Sequence, residues 1–283
     1  MAFAAGSRPD GDARASLTLV HVIEPLLVQA AAMTVEADAL QHESRQALAA
    51  LAASTPSTGM PRPPALEVRV GLPHVEILAA AADAQASLLV LGTQGQTGAA
   101  RLFFGSTTQR VLRETVTPTL VVPPAAQPVV RDGDAGPTLA IEHVVAAIDF
   151  SDTTASTIQS AAGLAARTGA SLMLVHVVPE ARALDRWATL LLEHQAQRVA
   201  RAGEELALLG REVQAQVPGV RTSAIPGEPE RVLATMASER PRTLLVMGLR
   251  RGSGLLAPQP GSTAYRVLCL THTPVLVVPA RRR

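Results

Sequence analysis

The chain has 283 residues, a formal net charge of +1 and no lysine, all 25 basic residues being arginine. That balance removes the electrostatic case for nucleic acid as a main partner, and no apolar run approaches the roughly 20 residues that a membrane span needs. Hydrophobic residues make up 47% and aromatics 2%, so the core has to be Val, Leu, Ile and Ala, a composition suited to parallel strands buried on both faces. One cysteine, Cys269, sits in the apolar stretch Val267-Leu-Cys-Leu270. It cannot form an internal disulfide and reads as a small buried hydrophobe, which fits a reducing compartment. The N-terminus lacks the basic start and apolar block of a signal peptide, so the expected location is the cytoplasm.

In chain order, residues 1–15 carry Pro9 and Gly11 among small and acidic neighbours, which argues against an ordered helix. Ser16-Leu-Thr-Leu-Val-His-Val22 is the first strand signal. Gly71 and Pro73 mark a turn into a helix. Ala86-Ser-Leu-Leu-Val-Leu-Gly92 is a further strand, followed by a glycine-bearing loop, a helix from Gly105 and a last strand in Thr117–Pro123. Residues 124–140, with Arg131-Asp-Gly-Asp-Ala-Gly-Pro137, read as a linker.

The second half repeats this plan. Ser16–Val22 returns as Ser171-Leu-Met-Leu-Val-His-Val177, at an offset of 171 − 16 = 155. Ala86–Gly92 returns as Arg242–Gly248 and Thr117–Pro123 as Thr273–Pro279, both at 273 − 117 = 156. A period this long means two copies of a whole domain: 1–123 and 141–283, joined by 124–140. The second copy adds an opening strand at 143–149 and an Ala-rich helix from Ser151-Asp-Thr153 to Arg167, closed by Thr168-Gly169. Further strands are expected at 171–178, 220–225, 243–248 and 275–278, with helices at about 181–210, from Glu230 and from Ser262. The alternation implies parallel strands with right-handed crossovers and helices on both faces. Subtracting the offset puts the counterpart of 143–149 before residue 1, so the first copy lacks its opening strand. Either the coding frame extends upstream of Met1 or the first half closes up in a modified way.

The loop after Gly92 spaces its glycines in a pattern with a physical use. Gly92 is followed after two residues by Gly95, and after nine more by Gly105, Ser106 and Thr107. Glycines let the backbone approach a ligand closely, and a helix opening at Gly105–Thr107 offers amide hydrogens and a dipole to an anion. In open α/β sheets ligands lie beyond the carboxyl ends of the strands, where this loop is. The second copy keeps the outer span, since 261 − 248 and 105 − 92 both give 13. Its middle glycine, Gly252, is displaced by one, Pro258 and Pro260 stiffen the loop, and Arg250 and Arg251 add charges able to pair with phosphate.

The glycine spacing, the strand ends at His21-Val22 and the strand Thr117–Pro123 resemble the universal stress protein family, UspA type, over nearly the whole chain. The resemblance implies tandem Rossmann-like α/β domains, each a sheet of order 3-2-1-4-5, the first lacking strand 1. It also implies an internal pseudo-dimer in which Thr119–Val122 pairs antiparallel with Val275–Val278, and an adenine nucleotide ligand, ATP with Mg²⁺. Residue by residue, Asp149 matches the strand-end aspartate near adenine and ribose. Val22 and Val177 match the valine of the adenine pocket, and Leu91 and Met247 the residue before the loop. Gly92, Gly95, Gly105, Ser106 and Thr107 match the phosphate ligands, as do Gly248, Gly252, Gly261, Ser262 and Thr263. Each half therefore holds part of the set: the first keeps the loop, the second keeps the aspartate.

No Gly-x-Ser-x-Gly elbow, Gly-x4-Gly-Lys-Ser/Thr loop or zinc-binding spacing occurs, and no catalytic residue is assigned. His21 and His176 read as structural strand-end histidines, and Glu193 and His194 as solvent-facing. Two functions remain open: an ATP-binding stress-response protein that acts through unknown protein partners, with slow ATP hydrolysis or self-phosphorylation as the most chemistry expected, or a UspA-like interaction module without nucleotide.

Overall fold

The structure, a computed structural model, describes residues 2–6, 16–34, 37–54, 63–93, 105–124, 126–127, 129–133, 136–180, 188–250 and 263–280. It divides into two compact units, Met1–Pro124 with Arg131–Thr138, and Ala125–Val130 with Leu139–Arg283.

The first unit runs β1 (Ala2–Gly6), β2 (Ser16–Ile23), α1 (Pro25–Thr34), α2 (Ala37–Ser54), β3 (Ala65–Val70), α3 (Pro73–Asp83), β4 (Leu88–Gly92), α4 (Ser106–Glu114) and β5 (Thr119–Val122). Its strands lie in the order β3-β2-β1-β4-β5. β2 with β3 and β4 with β5 are parallel. Among the described residues no parallel strand opens this unit, and the slot that such a strand takes in the sheet is filled. β1 sits between β2 and β4 and runs antiparallel to both, pairing Ala4 with Thr18 on one side and with Leu89 on the other. Chain length explains the direction. Only nine residues, 7–15, separate β1 from β2, whereas parallel neighbours need a crossover of roughly a dozen residues or more. The core behind this sheet gathers Ile77, Ala81, Leu89, Leu91 and Val111.

Between the repeats, the segment expected to be a plain linker contains two short paired strands, β6 (Val130–Gly133) and β7 (Gly136–Leu139).

The second unit runs β8 (His143–Ala147), α5 (Thr154–Thr168), β9 (Ser171–Val178), α6 (Ala188–Val213), β10 (Arg221–Pro226), α7 (Pro229–Glu239), β11 (Thr243–Leu249), α8 (Thr263–Leu270) and β12 (Val275–Pro279). The order is β10-β9-β8-β11-β12 and every pair is parallel, the expected 3-2-1-4-5 arrangement. Leu245, Val246, Val275 and Val277 are fully buried, as continuous apolar strands covered by helices on both faces must be. Gly169, at φ 72°, ends α5 in the left-handed conformation that glycine adopts without strain. Pro73 and Pro229 open α3 and α7, where a missing N–H costs nothing. The expected helix at 181–210 is seen from Ala188 and continues to Val213; residues 181–187 lie outside the described residues.

Candidate functional site

In the second unit the register brings the expected residues to one end of the sheet. Ala147 pairs with both Val175 and Met247, so Asp149, Val177 and Gly248 all stand at the carboxyl ends of adjacent strands. Val177 and Met247 are buried in the core, and Asp149 is exposed.

A left-handed turn at Phe150, φ 55°, carries the chain from β8 toward α5. It is held by Asp149, whose Oδ1 accepts hydrogen bonds from the Ser151 amide at 3.1 Å and the Ser151 hydroxyl at 2.6 Å. Ser151 Oγ also lies 3.0 Å from Thr153 Oγ1. The Phe150 ring stacks on His176 at 4.6 Å between centroids, and Nδ1 of His176 donates to the Ile148 carbonyl at 2.7 Å. His176 is thus a satisfied structural histidine, as expected.

Thr153 is fully buried and packs where a side chain at Gly248 would stand. A Cβ built on Gly248 would lie 2.0 Å from Thr153 Oγ1 and 3.2 Å from Thr157 Oγ1. The first glycine of the loop therefore seats the N-terminus of α5 against β11. Behind it, the hydroxyl oxygens of Thr154 and Thr157 are buried without a hydrogen-bond partner among the described residues. Buried polar atoms are normally satisfied, and the Thr157 hydroxyl lies on the Gly248 side of α5. Sequence reading took this stretch as the start of an Ala-rich helix and missed both threonines; their spacing along the helix was the available signal. Arg250 is exposed one residue past β11 and Thr263 is exposed at the start of α8, whereas Gly252, Gly261 and Ser262 lie outside the described residues.

In the first unit the ends of the glycine loop are pinned together. The Gly105 amide donates to the Thr93 carbonyl at 2.8 Å, and Thr108 Oγ1 donates to the Gly92 carbonyl at 2.8 Å. Gly105 thus commits its amide to the loop neck, and the first-turn amides of α4, at Ser106 and Thr107, have no partner among the described residues. Ser106 and Gly92 are exposed, Thr107 and Val22 half-buried, Leu91 buried; Gly95 lies outside the described residues. Because β1 runs backwards, it brings Ala2 beside Val20 and Leu91. Among the described residues no strand-end carboxylate stands there as Asp149 does in the second unit.

His21 differs from its counterpart. His176 reaches the carbonyl that follows β8, whereas the His21 imidazole makes no such bond among the described residues. Burial, helped by the positive amino terminus, lowers its pKa below the usual 6.5. A histidine depressed in the folded state contributes stability above its unfolded pKa and loses it as pH falls through the folded value. Hydrogen-exchange stability of the first unit's strands is expected to fall as pH drops below the ordinary histidine value of about 6.5, and His21→Asn to flatten that fall. An unchanged pH profile in the variant would count against this account.

Among the described residues there is no group of three or more His, Cys, Asp or Glu able to hold a metal ion, and no helix long and apolar enough to cross a membrane.

Comparison with known proteins agrees with this architecture. A universal stress protein of Thermus aquaticus is 36% identical over 108 residues, 38% of this chain and 77% of the relative. The crystal structure of a universal stress protein from Archaeoglobus fulgidus DSM 4304 superposes with a TM-score of 0.62 at 20% identity, covering 86% of this chain and 80% of that one. A functionally unknown protein of Pseudomonas aeruginosa PAO1 matches with a TM-score of 0.55 at 16% identity, over 93% of this chain and 82% of the other. The universal stress protein family model matches twice, over residues 5–123 and 140–279, and the chain belongs to that family as a tandem of two such domains.

Proposed function

We propose that the second unit binds an adenine nucleotide, ATP with Mg²⁺, and that occupancy changes the protein's contacts with partner proteins in a cytoplasmic stress response. The observation that carries this reading is the register that sets Asp149, Val177 and Gly248 at the carboxyl ends of adjacent strands, with the buried Thr157 hydroxyl unpartnered among the described residues beside Gly248. Asp149 spends Oδ1 on Ser151. Its second oxygen remains to accept from a ribose hydroxyl or the adenine amine. A carboxylate repels phosphate, so the tail runs the other way, toward Arg250 and the mouth of α8, where a cation and helix amides favour it. Mg²⁺ arrives with the phosphates and is held chiefly by them and by water. The first unit offers no such carboxylate among its described residues and is the weaker candidate.

Isothermal titration of the full chain with Mg·ATP tests this. The parent is expected to bind, and Asp149→Asn to weaken binding about tenfold by losing a charged acceptor. Ser106→Ala, in the first unit, is expected to leave the heat unchanged. No heat in the parent overturns the proposal. A second reading, an interaction module without nucleotide, draws on the same geometry: Thr153 fills the space at Gly248, and the Gly105 amide is already used. Purified protein that carries no nucleotide and stays silent on titration would favour it.

A further inference from the structure

At the opposite end of the second unit's sheet, before β11 and β12 begin, lies a cleft of about 360 Å³. It is lined by Gln127, Ser238, Arg240, Arg242, His272 and Thr273, among others, and by no aspartate or glutamate. We infer that this cleft is a binding site for a small organic anion carrying two or more negative charges, separate from the nucleotide crevice.

The cations are not needed to hold the fold there. Carbonyls at the end of α7 and in the turn after it are already satisfied by hydroxyls: Ser238 donates to Ala234 at 2.8 Å, Thr273 to Ala237 at 3.0 Å and Thr243 to Arg240 at 2.8 Å. The side chains of Arg240, His272 and Gln127 make no hydrogen bond or ion pair among the described residues, so their donors face the cleft or solvent uncommitted. Arg242 is braced by an ion pair with Glu142, and its carbonyl accepts the Glu142 amide at 3.0 Å. One guanidinium is thus fixed while another is free, with an imidazole beside them.

The first unit supplies an internal control. At the offset of 156 its residues are Ala84 for Arg240, Ala86 for Arg242, Ala82 for Ser238 and Val116 for His272. The turn before the last strand is the same in both: the Thr117 amide donates to Thr115 Oγ1 at 3.1 Å, and the Thr273 amide to Thr271 Oγ1 at 3.1 Å. That turn therefore folds with valine at the place of His272, whereas the turns after α3 and α7 differ, Ala84 being helical and Arg240 extended. The second copy alone concentrates two arginines and a histidine around one cavity. The cavity lies at the small end of the range for metabolite sites. Guanidinium forks match carboxylate and phosphate oxygens, so the shared ligand chemistry is a compact cluster of anionic oxygens.

Titration of the ¹⁵N-labelled full chain separates the sources, with citrate as the polycarboxylate probe and glycerol 3-phosphate as the phosphate monoester. One or both are expected to shift the amides of Ser238, Thr243 and Thr273 saturably at concentrations up to about 10 mM. His272→Val installs the first unit's residue, which the same turn accommodates there, and Arg240→Ala shortens an exposed side chain. Arg240→Ala is expected to weaken binding about tenfold; Arg242→Lys, keeping charge but losing the fork, is expected to weaken it less. ATP heats are expected to be unchanged in all three. The inference is overturned if neither probe moves these amides, if the shifts fall only around Ser151 and Gly248, or if Arg240→Ala titrates like the parent.

Discussion

Gly248→Ala is expected to destabilise the second unit by about 3 kcal/mol, the upper part of the usual range for overpacked sites. The added Cβ would stand 2.0 Å from Thr153 Oγ1 and 2.7 Å from Thr153 Cβ, closer than non-bonded atoms approach. Thr153 cannot move away cheaply, since it is fully buried and its amide and hydroxyl are both engaged with Ser151. Either α5 lifts from β11 or β11 bends. Both disturb the turn that holds Asp149, so ATP binding is expected to fall with stability. Native-state hydrogen exchange on α5 and β11 measures the loss within this unit, where a whole-chain melt would mix two units. A double-mutant cycle identifies the cause. Thr153→Ala removes the nearer clash and leaves the farther one, so the double variant is expected to lose at least about 1 kcal/mol less than the two single costs added together. Strict additivity would mean that the glycine is not there to seat Thr153.

The contrast between Gly248 and the strands shows what the sequence made legible. Strands such as Thr243–Leu249 and Val275–Pro279 are covered on both faces, so burial is written as an unbroken apolar run, and the repeat states it twice. Gly169 was equally readable, because a left-handed helix end needs glycine whatever surrounds it. The partnership of Gly248 with Thr153 joins positions far apart in the chain, and no local pattern carries it. The glycine pattern suggested phosphate contact, whereas the fold adds a packing duty. Arg242 is a further case. Pro241, with φ fixed near −65°, cannot take the left-handed position that Gln85 occupies in the first unit, so the turn hands it to Arg242, φ 56°. The cleft at that turn is invisible for a similar reason, since its lining side chains come from three separate segments, around Gln127, Arg240 and His272.

The same limit governs the opening of the chain, where Ala4→Pro is expected to be the most damaging substitution in the first unit. Alanines and a phenylalanine before a glycine give a weak strand signal, and the offset points to a position before residue 1. Yet β1 pairs on both sides, Ala4 facing Thr18 and Leu89. In a strand paired on both sides each amide points to one neighbour or the other, so proline at Ala4 must delete a ladder hydrogen bond and orphan its acceptor whichever side it faces. The acceptor's lost partner and the ring's steric conflict together are expected to cost about 2–4 kcal/mol. Hydrogen exchange should show lost protection along β2 and β4, with β8 and β9 in the second unit unaffected. Ala4→Val keeps the amide and adds a side chain favoured in strands, so it is expected to retain the parent's protection. If the proline variant instead kept β2 and β4 protected, residues 2–6 would not fill the centre of this sheet in solution. The exposed edges of β2 and β4 would then need another partner, because a sheet interior does not leave two rows of amides and carbonyls unpaired.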